Sequence, residues 1–430
     1  MNIQEIHKHF LESSGVSTDT RKIKKDSLFF ALKGDNFNGN SFAKEALTKG
    51  AKLAIVDERE YATTDQIILV EDVLKTLQEL AYTHRKHLDI PIVALTGSNG
   101  KTTTKELINA VLSKKFKTVA TQGNLNNHIG VPLTLLSMSS DTELGIVEMG
   151  ANHQGEIQSL CEIAQPDYGY ITNFGKAHLE GFGGVEGVIK GKSELYLHLI
   201  GHKGSLILNL DDPIQQKRLG STHTYTFGKT EEADLKISYA LAEPFAHIKF
   251  SETIVESNLI GQYNEVNLAA AAAFGSLFKI EHSAIKEALE SYIPSNNRSQ
   301  LIRNKNQTII LDAYNANPSS MEAALRNLAT THSTYKLAIL GDMFELGEAA
   351  AEEHQYIANL AEQFNIDQII LVGANFSKTQ NEALCFKSTE ELLEKGLPEA
   401  VKSKLSDATT LVKGSRGMAL ERILNLLEIK

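Results

Sequence analysis

The chain has 430 residues, of which 42% are hydrophobic and 22% are charged. At ~150 residues per domain, this length predicts about three domains of ordinary globular composition. The formal net charge of −10 argues against a nucleic-acid-binding protein, which is usually basic, although local amides and lysines can still bind an anionic small ligand.

The cysteine content and the apolar stretches indicate the cellular compartment of the protein. Cys161 and Cys385 are far apart and form no CxxC motif, which is typical of a reducing cytosol rather than of a disulfide scaffold or zinc ribbon. The N-terminal segment lacks the apolar run of a secretory signal, and the most apolar stretch, residues 268–274, is too short to span a bilayer. We therefore expect a cytoplasmic protein without membrane insertion. We also expect a monomer.

Residues 1–88 predict a small α/β domain. Apolar runs of strand length alternate here with helical segments: strands at 27–32, 53–56 and 66–70, and helices at 43–49 and 74–87. The second helix leads to Pro91, where a boundary is expected because proline and the residue before it disfavour helix.

Residues 89–296 predict a central domain built on a doubly wound, mostly parallel sheet, because apolar runs alternate with amphipathic segments. The predicted strands are the runs IVALTG, LGIVEMG, YGYITN and SLILNL, and the predicted helices cover 104–114, 156–164, 185–199, 265–279 and 283–292. Residues 222–259 read as shorter alternating strands, which predict an antiparallel flank of this sheet.

A polar, turn-rich stretch at 294–297 predicts the second boundary. Residues 297–430 then predict a further, Rossmann-like α/β domain with strands at 308–311, 337–340, 368–372 and 410–412. The expected fold class is therefore α/β, with the central sheet flanked by smaller α/β domains.

The first predicted strand of the central domain runs into a glycine loop, TGSNGKTTT at residues 96–104, which is followed by an amphipathic helix. Strand, loop and helix in this order are the context of a P-loop. Gly97 and Gly100 permit the tight turn, Lys101 supplies a positive charge to the phosphates, and Thr102 can ligate magnesium. Leu95 stands where the standard GxxxxGKS/T pattern has its first glycine. A chance match is the alternative, but it would rarely have these flanks, so we predict nucleoside triphosphate binding.

Polar residues follow two further strands of the same predicted sheet. Glu148 ends the run LGIVE, and His178 lies in the loop after YGYIT. Ligands of open α/β sheets bind at the carboxyl ends of the strands, so these side chains are candidates to hold magnesium beside the P-loop. Taken alone, such residues are more often a solvated acid and a surface histidine, and their position beside the P-loop favours the metal role. Lys192, within a predicted helix, reads by itself as a solvent-facing lysine.

Several segments resemble motifs of the Mur ligase family, and together they cover nearly the whole chain. The P-loop, EMGAN (148–152) and ITNFGKAHLEGFGG (171–184) are similar to the family's phosphate loop and metal-site motifs, and GNLNN (123–127) with GVPLT (130–134) is similar to the segment facing the muramyl substrate. DAYNANP (312–318), GDMFELG (341–347) and KGSR (413–416) resemble signatures of the D-alanyl-D-alanine-adding branch, and STDTR (17–21) with FALKG (30–34) resembles the UDP-binding domain of the later-acting members.

The resemblance implies a set of site residues. The expected ATP-binding residues are Gly97, Ser98, Asn99, Gly100, Lys101, Thr102, Thr103, Asn264, Asn267, Arg298 and Asp312. Mg²⁺ would be held by Thr102, Glu148, His178 and Lys192, the last as a carbamate, which is an anionic oxygen ligand. Lys101, Lys192 and His178 would be catalytic, and the substrates would be bound by Ser17, Thr18, Arg21, Asn124, Asn126, Asn127, Asn315, Asn317, Ser415 and Arg416. For Asn264 and Asn267, helix N-capping is the alternative.

The resemblance also implies the activity. A member of this branch would use ATP and Mg²⁺ to join UDP-MurNAc-tripeptide to D-alanyl-D-alanine through an acyl-phosphate, the last cytoplasmic step of making UDP-MurNAc-pentapeptide for peptidoglycan. The alternatives are a sister ligase that adds a different amine, a folate-type polyglutamate ligase, and a P-loop ATPase without ligase activity.

Overall fold

The computed structural model describes residues 1–242, 244–294, 297–304 and 306–427. Within these residues the chain is of the α/β class with a mostly parallel central sheet, which confirms the predicted fold class. The expected domain boundary between 296 and 297 falls on residues 295–296, outside the described residues. The boundary between 88 and 89 remains a prediction. Among the described residues, no helix combines the length and the apolar character that crossing a membrane requires.

The N-terminal unit contains a parallel sheet in the order β1-β2-β5-β6, with helices around it and a small β3–β4 hairpin beside it. The strands are β1 Val16–Ser17, β2 Leu28–Phe30, β3 Lys33–Gly34, β4 Phe37–Asn38, β5 Leu53–Val56 and β6 Ile67–Leu69, and the helices are α1 Ile3–Leu11, α2 Ala43–Thr48 and α3 Val73–Leu88. Helix α3 starts where the Asp72 side chain accepts a hydrogen bond from Lys75 N. It ends at Asp89, which adopts a left-handed conformation shortly before Pro91.

The central unit is built on a sheet in the order β15-β14-β13-β12-β11-β10-β7-β9-β8. Its strands are β7 Ile92–Thr96, β8 Thr118–Ala120, β9 Leu144–Glu148, β10 Tyr168–Ile171, β11 Ser205–Asn209, β12 His223–Gly228, β13 Leu235–Ala242, β14 Phe245–Phe250 and β15 Thr253–Ile260. Its helices are α4 Lys101–Leu112, α5 Gly130–Leu135, α6 Glu156–Ala164, α7 Leu179–Phe182, α8 Val185–Gly201, α9 Pro213–Gln216, α10 Tyr263–Leu277 and α11 His282–Ser291.

The flank of the central sheet differs in part from the prediction. Strand β12 pairs in parallel with β11, and β13 begins in parallel with β12, so the antiparallel flank consists of β13, β14 and β15 only. The cause is the connection: residues 210–222, which include α9, cross over the sheet and return the chain in the same direction. A crossover of about a dozen residues suffices for a parallel pair.

The C-terminal unit has a sheet in the order β16-β17-β21-β18-β19-β20, parallel except for the β16–β17 hairpin. Its strands are β16 Gln300–Asn304, β17 Gln307–Asp312, β18 Tyr335–Gly341, β19 Gln368–Val372, β20 Leu384–Phe386 and β21 Ala408–Lys413, and its helices are α12 Pro318–Thr330, α13 Ala350–Gln363, α14 Thr389–Lys395 and α15 Glu399–Lys402. Every residue of β18 and β21 is buried, as expected for central strands covered on both faces.

Helix α3 attaches the N-terminal unit to the central one. A single apolar core includes Phe10 and Leu77 of the first unit together with Val131 and Met138 of the second. The buried Arg85 donates hydrogen bonds to the carbonyl oxygens of Ala164 and Gln165 and to Asp167. Because burying an arginine is costly unless its donors are satisfied, these contacts define one orientation of α3 on the central unit.

A pair of buried histidines lies at the same junction. His84 Nε2 lies 3.0 Å from the carbonyl oxygen of Met138 and must therefore donate to it, which leaves Nδ1 of the neutral ring to accept from His7 Nε2 at 3.2 Å. Burial lowers the pKa of His7 to about 4, and the neighbouring His84 and His87 add to the effect. Burial also lowers the pKa of His84.

These pKa values predict that acid weakens the protein. Between pH 6.5, the ordinary pKa of histidine, and pH of about 4, the unfolded chain binds more protons than the folded chain, so the free energy of unfolding falls as the pH falls through this window. Urea unfolding at a series of pH values measures the slope. His7→Gln keeps a donor for His84 but does not titrate, and should make the slope shallower. His332→Gln, at an exposed position, should leave it unchanged. Equal slopes for wild type and His7→Gln would contradict the assignment.

The candidate nucleotide and substrate site

The glycine loop connects β7 to α4 at the carboxyl edge of the central sheet. Gly97 has φ 141° and Gly100 has φ 79°, so both occupy backbone regions that favour glycine. A Cβ atom on Gly97 would collide with the side chain of Thr172, and one on Gly100 would lie 2.7 Å from Asn267 Oδ1. The loop therefore needs glycine at these positions both for its backbone and for its neighbours.

Lys101 folds back over its own loop. Its Nζ donates to the carbonyl oxygens of Gly97 at 2.7 Å and of Ser98 at 3.2 Å. Burial lowers the pKa of Lys101, while the nearby Glu148 carboxylate acts in the opposite direction. The ammonium thus lies at the centre of the loop, where the phosphates of a nucleotide would be cradled by backbone amides at the start of α4.

Glu148 ends β9 and is buried, so the interpretation as a solvated acid is wrong for this residue. One carboxylate oxygen, Oε1, accepts from Thr102 Oγ1 at 3.2 Å and from Asn126 Nδ2 at 2.8 Å. The other oxygen, Oε2, is buried and has no hydrogen-bond partner in the described part of the chain. A buried carboxylate oxygen without a partner is costly, which makes this atom a candidate ligand for a cation.

The donor set around Glu148 fits Mg²⁺. The residues that the structure describes include no cluster of three or more His, Cys, Asp and Glu side chains able to hold a metal ion. Magnesium is usually bound by one or two carboxylates together with phosphate oxygens and water, rather than by an all-protein cage. A hydroxyl and a carboxylate next to a phosphate loop, with one carboxylate oxygen unpaired, are sufficient for this mode of binding.

His178 occupies the N-terminal end of α7 with a left-handed backbone, and it faces the same cleft as the P-loop and Glu148. Its Nδ1 lies 2.6 Å from Oε2 of Glu345, a residue of the C-terminal unit. This pairing lowers the pKa of Glu345. His178 is therefore a bridge between the units as well as a candidate ligand.

Lys192 is buried in α8, so the interpretation as a solvent-facing lysine is wrong. Helix α8 packs against α6 and β10, and the side chain of Lys192 lies on this inner face. Its Nζ donates to Ala151 O at 3.1 Å and lies 4.9 Å from the centre of the Phe182 ring. Burial, and secondarily the charge of Lys101, lowers the pKa of Lys192 well below its ordinary value.

Asn264 and Asn267 join α10 to the P-loop helix. Asn267 Nδ2 donates to Asn264 Oδ1 at 2.8 Å, and Asn267 Oδ1 accepts from Thr104 Oγ1 at 3.0 Å. The N-cap of α10 is Gln262, and no side chain caps this helix end, so helix capping does not account for the asparagines. Both line the cleft and support the loop on which a nucleotide would rest.

The C-terminal unit contributes the loops that follow β17, β18 and β21, which are neighbours in its sheet. Lys413 Nζ lies 2.5 Å from Asp312 Oδ2, and the Arg298 guanidinium stacks 3.7 Å from the centre of the Tyr314 ring. Asn317 Nδ2 donates to Asn99 Oδ1 of the P-loop at 2.8 Å. The carboxyl edges of both sheets thus face each other.

The opposed edges enclose a cleft of about 1760 Å³. Most residues that the sequence singled out line it: Ser98, Asn99, Gly100, Lys101, Thr102, Thr103, Asn124, Asn126, Asn127, Glu148, His178, Asn264, Asn267, Arg298, Asp312, Asn315, Asn317, Ser415 and Arg416. The lining does not include Gly97 of the loop or the buried Lys192. Ser17, Thr18 and Arg21 are also outside it, in the N-terminal unit, where Arg21 pairs with Asp19.

Some residues of the cleft had no role assigned from the sequence. Tyr314, Phe344, Glu345 and Lys413 all line it. Lys413 could have been found because it ends a strand, as Glu148 does. Tyr314 lies within the motif DAYNANP, and Phe344 and Glu345 lie within GDMFELG, but the motifs alone gave them no individual role, since loop positions become neighbours only after folding.

The comparison with known proteins covers nearly the whole chain. A model described as Mur ligase family, catalytic domain, matches residues 12–91, one described as Mur ligase middle domain matches 95–275, and one described as Mur ligase, glutamate ligase domain, matches 297–416. The chain belongs to the Mur ligase family. This Mur ligase is 35% identical to the UDP-N-acetylmuramoyl-tripeptide--D-alanyl-D-alanine ligase of Bacillus subtilis (strain 168), over 95% of its own chain and 92% of that protein.

Further relatives and solved structures belong to the same family. The ligase of the same name from Escherichia coli (strain K12) is 34% identical over 96% of this chain and 93% of that protein. Among solved structures, MurF from Acinetobacter baumannii superposes with a TM-score of 0.87 at 30% identity, with 98% of each chain covered. MurF ligase from Thermotoga maritima in complex with ADP superposes with a TM-score of 0.86 at 27% identity, with 97% of this chain and 98% of that chain covered.

The contact between Gly100 and Asn267 predicts the effect of a substitution in this Mur ligase. Gly100→Ala should lower the free energy of unfolding by ~1–2 kcal/mol from the left-handed backbone alone, and should in addition displace Asn267 and weaken ATP binding. Gly396→Ala is the matched control, because Gly396 has φ 69° but open space around its Cβ position. Urea unfolding and calorimetric titration with ATP measure the two effects. Equal ATP affinity in both variants would contradict the proposed contact.

Proposed function

We propose that this Mur ligase joins D-alanyl-D-alanine to the peptide carboxylate of UDP-MurNAc-tripeptide at the expense of ATP, as the names of its relatives indicate. The supporting observation is the cleft itself. A phosphate loop at the edge of one parallel sheet faces the carboxyl edge of a second sheet, and Asn99 and Asn317 connect the two. Such an arrangement brings a nucleotide, an acid and an amine to one place.

The first step forms an acyl-phosphate. A carboxylate oxygen of the tripeptide attacks the γ-phosphorus of ATP, an O–P bond forms, and the bond to the bridging oxygen breaks so that ADP leaves with the electron pair. Phosphoryl transfer needs chiefly positioning and charge neutralisation. Lys101 would leave the carbonyl oxygens of Gly97 and Ser98 and bind phosphate oxygens, while the amides at the start of α4 hold the same group.

We propose that Thr102 and Glu148 hold Mg²⁺, with His178 and Lys192 as further ligands. A bound Mg²⁺ neutralises phosphate charge and thereby lowers the repulsion between the carboxylate and the triphosphate. Lys192 would serve as a carbamate. Its lowered pKa favours the neutral amine, whose nitrogen can form a bond to the carbon of CO₂ while a proton leaves. The structure shows no direct contact among Glu148, His178 and Lys192 in the described residues.

The second step forms the amide. The amine nitrogen of D-alanyl-D-alanine attacks the activated carbonyl carbon, the N–C bond forms, and phosphate leaves with the electron pair of the C–O bond while the nitrogen loses a proton. Asn315, Asn317, Ser415 and Arg416 are proposed to bind this acceptor. Asn124, Asn126 and Asn127 are proposed to face the muramyl group. We propose that the UDP group is bound by Ser17, Thr18 and Arg21 of the N-terminal unit.

ATP would be held by residues of both units, with Asn264 and Asn267 under the adenine and Arg298 and Asp312 from the C-terminal unit. Contacts between the units, such as Lys176 Nζ with Glu353 Oε1 at 2.6 Å, would exclude water from the acyl-phosphate. We further propose that the enzyme acts in the cytoplasm, where ATP and UDP-linked substrates are available, and as a monomer, since one chain supplies every candidate group.

ADP release tests the function. With ATP, Mg²⁺ and UDP-MurNAc-tripeptide present, we expect sustained ADP release only after D-alanyl-D-alanine is added. A screen of other amines, including single amino acids, distinguishes the sister ligases. Lys101→Ala should lower kcat by at least ~1000-fold, because a preorganised charge at the transferring phosphate is lost. ADP release that is independent of any amine would indicate an ATPase and contradict the proposal, and so would wild-type turnover in Lys101→Ala.

The proposed carbamate makes a separate prediction. Lys192→Arg, whose guanidinium does not react with CO₂, should lower kcat by about 100-fold. Wild-type enzyme stripped of CO₂ should lose activity and recover it when bicarbonate is added, whereas Lys192→Arg should not respond. Steady-state ADP release in sealed, degassed buffer measures this. Wild-type activity in Lys192→Arg would show that this lysine is only a buried structural residue.

A further inference from the structure

The loop over residues 342–346, which follows β18, is held rigidly at the carboxyl edge of the C-terminal sheet. The carboxylate of the buried Asp342 accepts hydrogen bonds from Asn375 N and Phe376 N, both at 2.9 Å. His354, which is fully buried, accepts a hydrogen bond from Met343 N at 3.0 Å. Buried polar groups that are all satisfied give a loop one conformation.

This rigid loop presents two unusual residues to the cleft. Phe344 is 44% exposed, although an aromatic side chain on a well-packed scaffold is normally buried. Glu345 has a left-handed backbone with φ 61°, which is costly for a residue other than glycine. Both side chains line the cleft. An exposed ring and a strained glutamate side by side, on a loop fixed by buried hydrogen bonds, indicate a binding surface.

The neighbouring loop after β21 completes this surface. Phe344 N donates to Ser415 Oγ at 3.0 Å, which links the two loops. A Cβ atom on Gly417 would lie 2.6 Å from Cε2 of Phe344, so the ring covers Gly417 directly beside Arg416. Arg416 pairs with Glu421 at 3.3 Å and lies 6.0 Å from the centre of the Tyr314 ring, and its guanidinium has further donors to offer. The guanidinium of Arg416, the ring of Phe344 and the carboxylate of Glu345 therefore lie one after another along the cleft wall.

Glu345 also connects this surface to the central unit. Its Oε2 pairs with His178 Nδ1 at 2.6 Å, and in the described part of the chain its Oε1 has no hydrogen-bond partner. His178 follows β10, the strand next to β7 and the P-loop. A group held by Oε1 would therefore lie at the boundary between the two units, towards the side where the phosphates are expected.

We propose that Phe344 and Glu345 form the subsite for the acceptor dipeptide, with Glu345 binding its amino group and Phe344 packing against a methyl group while Arg416 binds its carboxylate. The assignment rests on the proposed ligase function and deepens it. It matches each chemical feature of the dipeptide to one residue: a cationic amine to a carboxylate, an apolar side chain to a ring and a terminal carboxylate to a guanidinium. Glu345 thereby positions the amino group towards the acyl-phosphate, and its nitrogen becomes nucleophilic once the ammonium has lost a proton to water.

Steady-state kinetics of Glu345→Gln and Phe344→Ala test the proposal. Each variant should raise KM for D-alanyl-D-alanine by at least about tenfold, the loss typical of one charged or apolar contact, and leave KM for ATP and for UDP-MurNAc-tripeptide within about twofold. Glu348→Gln is the matched control, because Glu348 is an exposed glutamate of the following turn that does not line the cleft. It should behave as wild type.

A second acceptor separates the role of the ring from a general structural effect. Wild type should prefer D-alanyl-D-alanine over D-alanyl-glycine by roughly tenfold in kcat/KM, and Phe344→Ala should lose most of this preference. Phe344→Leu, which retains apolar contact, should keep part of it. Equal rises in all three KM values, or an unchanged preference in Phe344→Ala, would overturn the proposal while ligase activity of the wild type stands. No dipeptide-dependent turnover in wild type would overturn the ligase function itself.

Discussion

The buried carboxylate of Glu148 is the constraint on which the site depends. Folding places this group at the end of β9, beneath the P-loop, where water cannot solvate it. Thr102 and Asn126 satisfy one of its oxygens and the other has no partner among the described residues. A buried carboxylate oxygen without a partner costs free energy, which the nearby Lys101 ammonium offsets only in part because it donates to its own loop. The proposed Mg²⁺ and triphosphate would supply the missing partner, and their binding would couple the stability of the loop to the presence of substrate.

The two junctions between the units differ in chemistry. The N-terminal unit meets the central one through a shared apolar core and through buried polar groups such as Arg85 and His84. The C-terminal unit meets the central one through polar pairs around the cleft, such as Lys176 with Glu353 and Asn99 with Asn317, and through a smaller apolar contact of Ile260, Leu179 and Phe245 with its core. Because less apolar surface is shared at this junction than at α3, we expect the structure to open at the cleft.

Lys192 shows how burial changes the chemical properties of a side chain. In sequence it is one lysine in an amphipathic helix, and nothing in its neighbours distinguishes it from a solvated one. Packing of α8 against α6 and β10 encloses its ammonium, and the loss of water then lowers its pKa. Only the likeness to other Mur ligases suggested a role before the fold was known. The fold shows, independently of this likeness, that Lys192 is buried. A buried lysine with a lowered pKa is consistent with the carbamate role.

The sequence by itself determined the α/β class, the P-loop and the position of Glu148 at a strand end, because strand–loop–helix periodicity and glycine requirements are local and are written in consecutive residues. It also located His178 and the motifs after β17, β18 and β21. Only the tertiary structure decided that β12 runs parallel, that Lys192 is buried, and that Phe344 and Glu345 face the P-loop side across the cleft. These features depend on how separate elements pack together, as β12 does with β11 and Glu345 with His178, and no local pattern encodes that choice.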